Sequence, residues 1–361
     1  MGYCVVCSVL LALAGPSRPG SLPGTVTFRG ASDASAAVAL DKDLIAVADD
    51  EDNTLRVYAL TGGMPVATFD MAAFLQTTLE FPEADIEGAS RVGDRVYWIT
   101  SHGRNKDGKL RPNRYRFFAT EIQRDGDKVS LRPVGRPCKT LVPQLLGDKA
   151  LQGLGLREAA GDDLVKDAIL ERNRKRLAPK DEGLNIEGLC GSADGKVLYV
   201  GFRNPVPKDK ALVVPMENPL AVIEQGRPAV FGRPLLWDLG GLGIRDMVYV
   251  EGLRAVFVIA GPYNEGRQFA LYRWSGRADE QPVRVRQDLG REYPDFTPEA
   301  LVSFASETRL LVLSDDGARE VEVAGPQECR EGEFLAGGRC LNKNLLDSSR
   351  KTFRASWVSV D

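Results

Sequence analysis

The residues best suited to chemistry in this chain are acidic, and they recur. Glu87 and Glu187 stand in the same short phrase, DIEGA at 85–89 and NIEGL at 185–189, with related copies DASAA at 33–37, GIRDM at 243–247 and TPEAL at 297–301. Carboxylates gathered at one opening repel one another unless a cation or basic groups intervene, and hard oxygen ligands suit calcium or magnesium. Glu87, Glu187, Asp50 and Asp85 are therefore the candidate metal ligands, and Glu87 and Glu187 the candidate catalytic carboxylates. A competing reading makes each corner carboxylate an acceptor for nearby backbone N–H groups, since a structural device recurs in every repeat while chemistry needs it once. Asp33 and Glu299 fall to that structural reading. At Glu87 and Glu187, where EG recurs unchanged, both stay open. Asp50 lies in DDEDN (49–53), which lacks the spacing of a helix-loop-helix calcium loop and also reads as a solvated acidic turn.

His102 is the only histidine, so any mechanism that needs an imidazole base must use it. It opens a Gly-punctuated loop carrying Arg104, Lys106, Lys109, Arg111 and Arg114, a cradle for phosphate or carboxylate or else a basic hairpin tip in solvent. Arg203, Asn204 and Arg245 come from other repeats, and with Arg104 and Lys106 they complete the candidate substrate-binding set. There is no GxSxG elbow, no HExxH and no complete GxxxxGK[ST] phosphate loop, since Leu110 follows GRNKDGK at 103–109, and no nucleotide or redox cofactor is expected.

These residues need elements that bring distant segments to one place. The third residues of the phrases, Ser35, Glu87, Glu187, Arg245 and Glu299, are 52, 100, 58 and 54 positions apart. Three of these intervals match one blade of a β-propeller, so the expected fold is all-β with five four-stranded blades. The long interval is assigned to a helical insertion at 138–182, where Asp162 to Leu177 carries apolar residues at helical spacing up to Pro179. After each phrase comes a short, continuous apolar run, Leu44 to Ala48, Val96 to Ile99, Val197 to Val200, Ala255 to Ala260 and Leu310 to Leu313. Continuous apolarity signals burial on both faces, as between neighbouring blades. Third strands follow, the last at Arg319 to Val323. Thr352 to Val360 and Thr25 to Arg29 remain as terminal strands that can close the ring and remove an edge. In a four-stranded meander the loop entering the first strand and the loop joining the second to the third share a face. The recurring phrases, the loops at 49–53 and 101–109, Arg203 with Asn204, and Asp315 with Asp316 therefore meet at one mouth, with the insertion on the same face as a lid.

The domain plan is a signal peptide at 1–20, a propeller at 25–325 and a Cys-stapled tail with a ring-closing strand at 326–361. Tyr3 to Ala14 is an apolar run ending in Ala12-Leu13-Ala14, too short to span a bilayer and similar to a secretory h-region, so the expected location is periplasmic or secreted. Cys329 and Cys340 have the spacing of a small disulfide loop, while Cys138 and Cys190 pair only if the intervening segment folds back, and Cys190 also reads as a buried thiol. With 47 Lys plus Arg against 50 Asp plus Glu, a net charge of -3 gives no global field for nucleic acid or an anionic membrane. The expected partners are an anionic small molecule or an envelope glycan or protein, bound by a monomer.

The strings SDASAAVAL, VADDEDNTLRVY, DIEGA, SHGRNKDGKLRPNR, EGLNIEGL, GFRNPVP, ALVVPMENP and IRD, spread over residues 30 to 320, resemble a bacterial domain-of-unknown-function family, number 3616, of predicted β-propellers. That family implies the fold and no established activity. More distantly, Ile186 to Leu189 is similar to phytase-like or esterase-like propellers, which implies acidic loops holding calcium near a phosphate or carboxylic ester. Two functions follow: a divalent-metal-dependent hydrolase of such esters, or a non-catalytic binding propeller.

Overall fold

A computed structural model describes residues 24–360, apart from 127, 162–170, 265, 287, 288, 290–292, 294 and 306. The leader-like run Tyr3 to Ala14 and much of the expected helix at 162–177 lie outside the described residues. After β1 (Val26–Arg29) come four antiparallel sheets of four strands each, in chain order. The first is β2 (Ala34–Ala39), β3 (Leu44–Asp49), β4 (Thr54–Ala59) and β5 (Ala67–Asp70), and the second β6 (Ile86–Val92), β7 (Arg95–Thr100), β8 (Phe117–Asp125) and β9 (Lys128–Cys138). The third is β10 (Asn185–Gly191), β11 (Leu198–Asn204), β12 (Ala211–Met216) and β13 (Leu235–Trp237), and the fourth β14 (Gly243–Val250), β15 (Ala255–Gly261), β16 (Ala270–Trp274) and β17 (Val283–Arg286). β18 (Pro298–Val302) and β19 (Leu310–Ser314) begin a further sheet, and β20 (Glu320–Glu322), β21 (Phe334–Leu335) and β22 (Arg339–Leu341) form a separate three-stranded one. β23 (Thr352–Val358) then pairs with β19, and β1 pairs with β23, giving the order β1-β23-β19-β18.

The first strands touch in cyclic order: β2 meets β6, β6 meets β10, β10 meets β14, β14 meets β18, and β18 returns to β2. This closed cycle of radial sheets makes the chain a β-propeller. The three-stranded sheet is the sixth among the described residues. Second strands are buried along their lengths because each is sandwiched between neighbouring sheets. Trp98 of β7, without solvent exposure, packs beside Phe118 against Ala46, Leu55 and Val57 of the first sheet, and its indole N–H donates to Thr120 Oγ1 at 3.0 Å. Burying a side chain of this kind contributes roughly 1.5–3 kcal/mol.

Both termini close the ring. Phe28 of β1 stacks on Phe353 of β23 with centroids 4.8 Å apart, and Tyr58 of the first sheet meets both edge-on. The expected third strand Arg319 to Val323 is corrected here. Glu320 and Glu322 are exposed in β20, which could not sit between sheets, whereas β23 carries Phe353, Ala355 and Val358 inward and takes that place. In the insertion, helices Leu141–Gly147 and Leu156–Ala160 bury Leu141, Leu145, Leu156 and Ala159 in the core between the second and third sheets. The expected disulfide is also corrected. Cys329 and Cys340 are free buried thiols, and the tail is held by the pairing of β22 with β20 and β21. Burial and the adjacent Cys329 push the Cys340 thiol up to about 12. Cys138 and Cys190 are free as well, with Cys190 fully buried and its thiol pushed up by burial.

Candidate metal centre

Each first strand carries a β-bulge at the same place. The ladder between first and second strands slips by one residue at Ser35 in β2, Glu87 in β6, Glu187 in β10, Arg245 in β14 and Glu299 in β18. A bulge leaves one residue outside the ladder and re-aims its side chain. Here the five re-aimed side chains form the floor of the mouth. The recurring sequence phrase is thus the trace of a recurring bulge. The glycine after the bulge follows from crowding between first strands: a Cβ on Gly88 would lie 2.7 Å from the Glu187 carbonyl oxygen, and one on Gly188 2.6 Å from Ile244 Cγ2.

Arg245 is the one cation among the five. Its Nε lies 3.0 Å from Glu187 Oε2, too poorly aligned for a hydrogen bond, and its Nη2 donates to Glu299 Oε1. Arg203 donates to Glu187 Oε1 at 2.8 Å and to the Pro262 carbonyl at 3.2 Å, and Asn185 Nδ2 donates to the same Glu187 oxygen at 2.7 Å. Burial works against the charge of Arg245, but Glu187 and Glu299 outweigh it and hold the guanidinium firmly protonated. Glu299 Oε2 is sealed from solvent and has no hydrogen-bond partner among the described residues. Glu87 is 8% exposed, and no ion pair or hydrogen bond reaches its carboxylate among the described residues. Oxygens of Glu87, Glu187 and Glu299 lie within 4.8 Å of one another.

A second group surrounds the first. Oxygens of Asp50, Asp85 and Glu87 also lie within 4.8 Å of one another, as do those of Asp33, Asp50 and Glu51. Arg114 binds Asp85 at 2.9 Å and reaches Glu83. Asp50 keeps partial exposure as a residue, but its Oδ1 is sealed and without a partner. Glu51 is paired with Lys343 at 2.8 Å and Arg330 at 3.4 Å, and Ser32 Oγ donates to Asp33 at 2.6 Å. Burial, then neighbouring carboxylates, raise five of the carboxyl groups, while Lys343 and Arg330 lower Glu51. Asp33 is pushed up to about 9, Glu299 and Glu83 to about 7, and Glu87 and Asp50 well above the usual range.

The four candidate metal ligands, Glu87, Glu187, Asp50 and Asp85, thus share one mouth, joined by Glu299, which the sequence reading had assigned to a structural role. Asn204 and Arg203 reach it from the end of β11, as loop parity requires, but Asn204 Nδ2 donates to the Gly183 carbonyl at 2.7 Å. Arg104 is buried and bonded to the carbonyls of Gly108 and Ala160, while Lys106 is exposed. His102 is fully buried, with Nδ1 2.8 Å from the Thr100 carbonyl and its ring edge-on to Tyr115. No carboxylate perturbs it; burial and Arg116 lower it to about 4 despite the Thr100 bond. Arg114, Glu83 and Lys343 are the additions that sequence spacing did not single out. Lys343 arrives from the tail, 292 positions from Glu51, with no local signal to mark it. A cavity of about 840 Å³ opens at the other end of the first strands, lined by small residues such as Ala37, Ala89 and Gly191, and holds none of these carboxylates.

Fold and site together define a β-propeller with a ring of buried carboxylates and arginines at one mouth. Over residues 33–320 the chain matches the family described as "Protein of unknown function (DUF3616)", and it belongs to that family. No curated protein matches it. Solved structures of low identity are similar in fold. Myxococcus xanthus glutaminyl cyclase is 10% identical over 80% of this chain and 88% of its own, with a TM-score of 0.44. The PQQ-bound aldose sugar dehydrogenase of Streptomyces coelicolor is 11% identical over 95% and 100%, with a TM-score of 0.39. The Cps50 (Swd1) β-propeller domain of Myceliophteria thermophila is 13% identical over 92% and 97%, with a TM-score of 0.35. Similarity at this level says nothing about the site.

Proposed function

We propose that the mouth binds a hard divalent cation, calcium or magnesium, through Glu87, Glu187 and Glu299, and that the protein uses it to hydrolyse phosphate or carboxylic esters. The observation that carries this reading is Glu87, a buried carboxylate that takes no direct ion pair or hydrogen bond among the described residues, beside an unpartnered oxygen of Glu299. A carboxylate oxygen sealed from water without a donor or cation, as Glu299 Oε2 is, costs several kcal/mol on the usual scale. A cation held by Glu87, Glu187 and Glu299 would remove that cost and would supply polarisation of an ester oxygen and a lowered pKa for bound water. Export, inferred from the leader-like run, would place the mouth where calcium is abundant enough for a weak site.

A second reading, a non-catalytic binding propeller, draws on a different observation. Arg203 and Arg245 are committed to Glu187 and Glu299, so fewer cationic groups remain to orient an anionic substrate. Titration with calcium and magnesium chloride by calorimetry, with thermal unfolding in metal and in chelator, tests the proposal. The expected result is saturable binding that raises Tm and vanishes in Glu87→Ala plus Glu187→Ala, followed by chelator-sensitive turnover in a screen of phosphate and carboxylic esters. Absence of cation binding removes the hydrolase reading. Binding without turnover favours the platform.

A further inference from the structure

Glu87 belongs to two carboxylate groups at once, one with Glu187 and Glu299 and one with Asp50 and Asp85. It is more than nine-tenths buried and takes no hydrogen bond or ion pair among the described residues. Asp50, which belongs to the second of these groups and not to the first, has its Oδ1 sealed and unpartnered among the described residues. A single cation on Glu87, Glu187 and Glu299 leaves that second orphan unexplained.

Charge points the same way. Among the described residues, the five carboxylates of the two groups and Glu83, which shares Arg114 with Asp85, have between them three guanidinium groups at most as ion-pair partners, those of Arg114, Arg203 and Arg245. Three negative charges remain, more than one divalent cation cancels. The outer group, Asp33 with Asp50 and Glu51, does not need a cation of its own, because Lys343 and Arg330 pair with Glu51 and Ser32 caps Asp33. Asp50 is thereby left to the inner group. Distance is compatible too: two calcium–oxygen bonds of about 2.4 Å span at most about 4.8 Å, the limit within which each set of three oxygens falls.

We infer that the mouth holds two divalent cations bridged by the Glu87 carboxylate, the second seated on Asp50, Asp85 and Glu87. This rests on the reading of the mouth as a cation site and extends it. The protein supplies three carboxylates to each ion, with water filling the remaining positions of an oxygen-liganded calcium. Glu87, as the bridging ligand, ties the two ions together, so its loss affects both, whereas Asp50 and Glu299 each serve one.

The test is calcium stoichiometry, by calorimetry on the full chain with calcium chloride alone as probe. Asp50→Asn and Glu299→Gln are near-isosteric and keep the shape of the mouth. The expected result is two equivalents for the wild type, one for each variant, and at least a tenfold loss of affinity for both ions in Glu87→Gln. One equivalent in the wild type, unchanged in Asp50→Asn, overturns the second cation and leaves the first standing. No binding overturns this inference and the proposed function together. Two equivalents retained in Asp50→Asn overturn the placement on Asp50. Should Asp50→Asn fail to fold by circular dichroism, native mass spectrometry of the wild type decides by itself: two calcium ions support the bridged pair, and one overturns it.

Discussion

At the scale of single residues, His102 shows how a chemically suggestive side chain can serve the fold. Its backbone lies in the left-handed region at φ 52°, and the 2.8 Å contact with the Thr100 carbonyl requires Nδ1 to carry the proton. Nε2 is then a buried nitrogen without a partner among the described residues. Protonating it would place a charge where burial opposes one, and the imidazole titrates at about 4 in place of 6.5. The unfolded chain therefore takes up a proton that the folded chain refuses. The sign follows: this group is nearly silent above about pH 7.5 and destabilises the fold progressively as pH falls from there toward 4. By pH 4.5 the loss is about 2.5 kcal/mol. Asn tolerates the left-handed region, so His102→Asn is the suitable comparison. Urea unfolding of both proteins between pH 7 and pH 4.5 should show the wild type losing about 2.5 kcal/mol more than the variant. Equal losses would mean that the ring is hydrated and ordinary.

At the scale of elements, the repeated bulge decides what the sequence can and cannot reveal. The five phrases were legible because every first strand needs the same slip at the same place, and the second strands were legible because burial on both faces demands unbroken apolarity. That a bulge made the phrase recur was not legible, since register is a property of two strands and the phrase lies on one. The same holds for Arg245. As a residue type it reads as an anion binder, yet its neighbours across the mouth, Glu187 and Glu299, make it their internal counter-ion. The last sheet was misread at its third strand because the chain detours through β20 to β22 before β23 returns, and nothing local marks a strand displaced by more than thirty residues. Gly188 tests the crowding between first strands. A Cβ there meets Ile244 Cγ2 at 2.6 Å, Met247 Cε at 3.2 Å and the Gly201 backbone at 3.2 Å, with no left-handed φ to complicate the reading. Gly188→Ala should cost about 1–3 kcal/mol as overpacking and, by moving the strand that carries Glu187, weaken cation binding. A stability change under about 0.5 kcal/mol, the usual range for an uncrowded position, would show that neighbouring first strands can separate freely.

At the scale of the whole molecule, ring closure and charge meet in one place. The tail that completes the last sheet also delivers Lys343 and Arg330 to Glu51, so the segment that closes the propeller neutralises the outer side of its acidic mouth. The inner side keeps its excess of carboxylates, and burial with mutual repulsion makes them hold protons when no cation is present. Glu299 and Glu83 are pushed up to about 7 and Asp33 to about 9, while the same groups in the unfolded chain ionise near 4. Between pH 6.5 and pH 8.5 the folded state therefore binds more protons than the unfolded state, and stability falls as pH rises. His102 opposes this decline only slightly, by about 0.4 kcal/mol at pH 6.5, because above about pH 7.5 it is neutral in both states. The slope for a single such group is at most about 1.4 kcal/mol per pH unit. In chelator, Tm should decline steadily from pH 6.5 to 8.5. Glu299→Gln, which carries its hydrogen permanently, should flatten the lower half of that decline. Saturating calcium should flatten the part that comes from Glu299, Glu87 and Asp50, because a cation replaces their protons, and leave the part from Asp33. A Tm that holds steady or rises across this range in chelator would mean that the carboxylates are ionised in the folded state without cations, and the arginines and Lys343 would then be sufficient counter-ions by themselves.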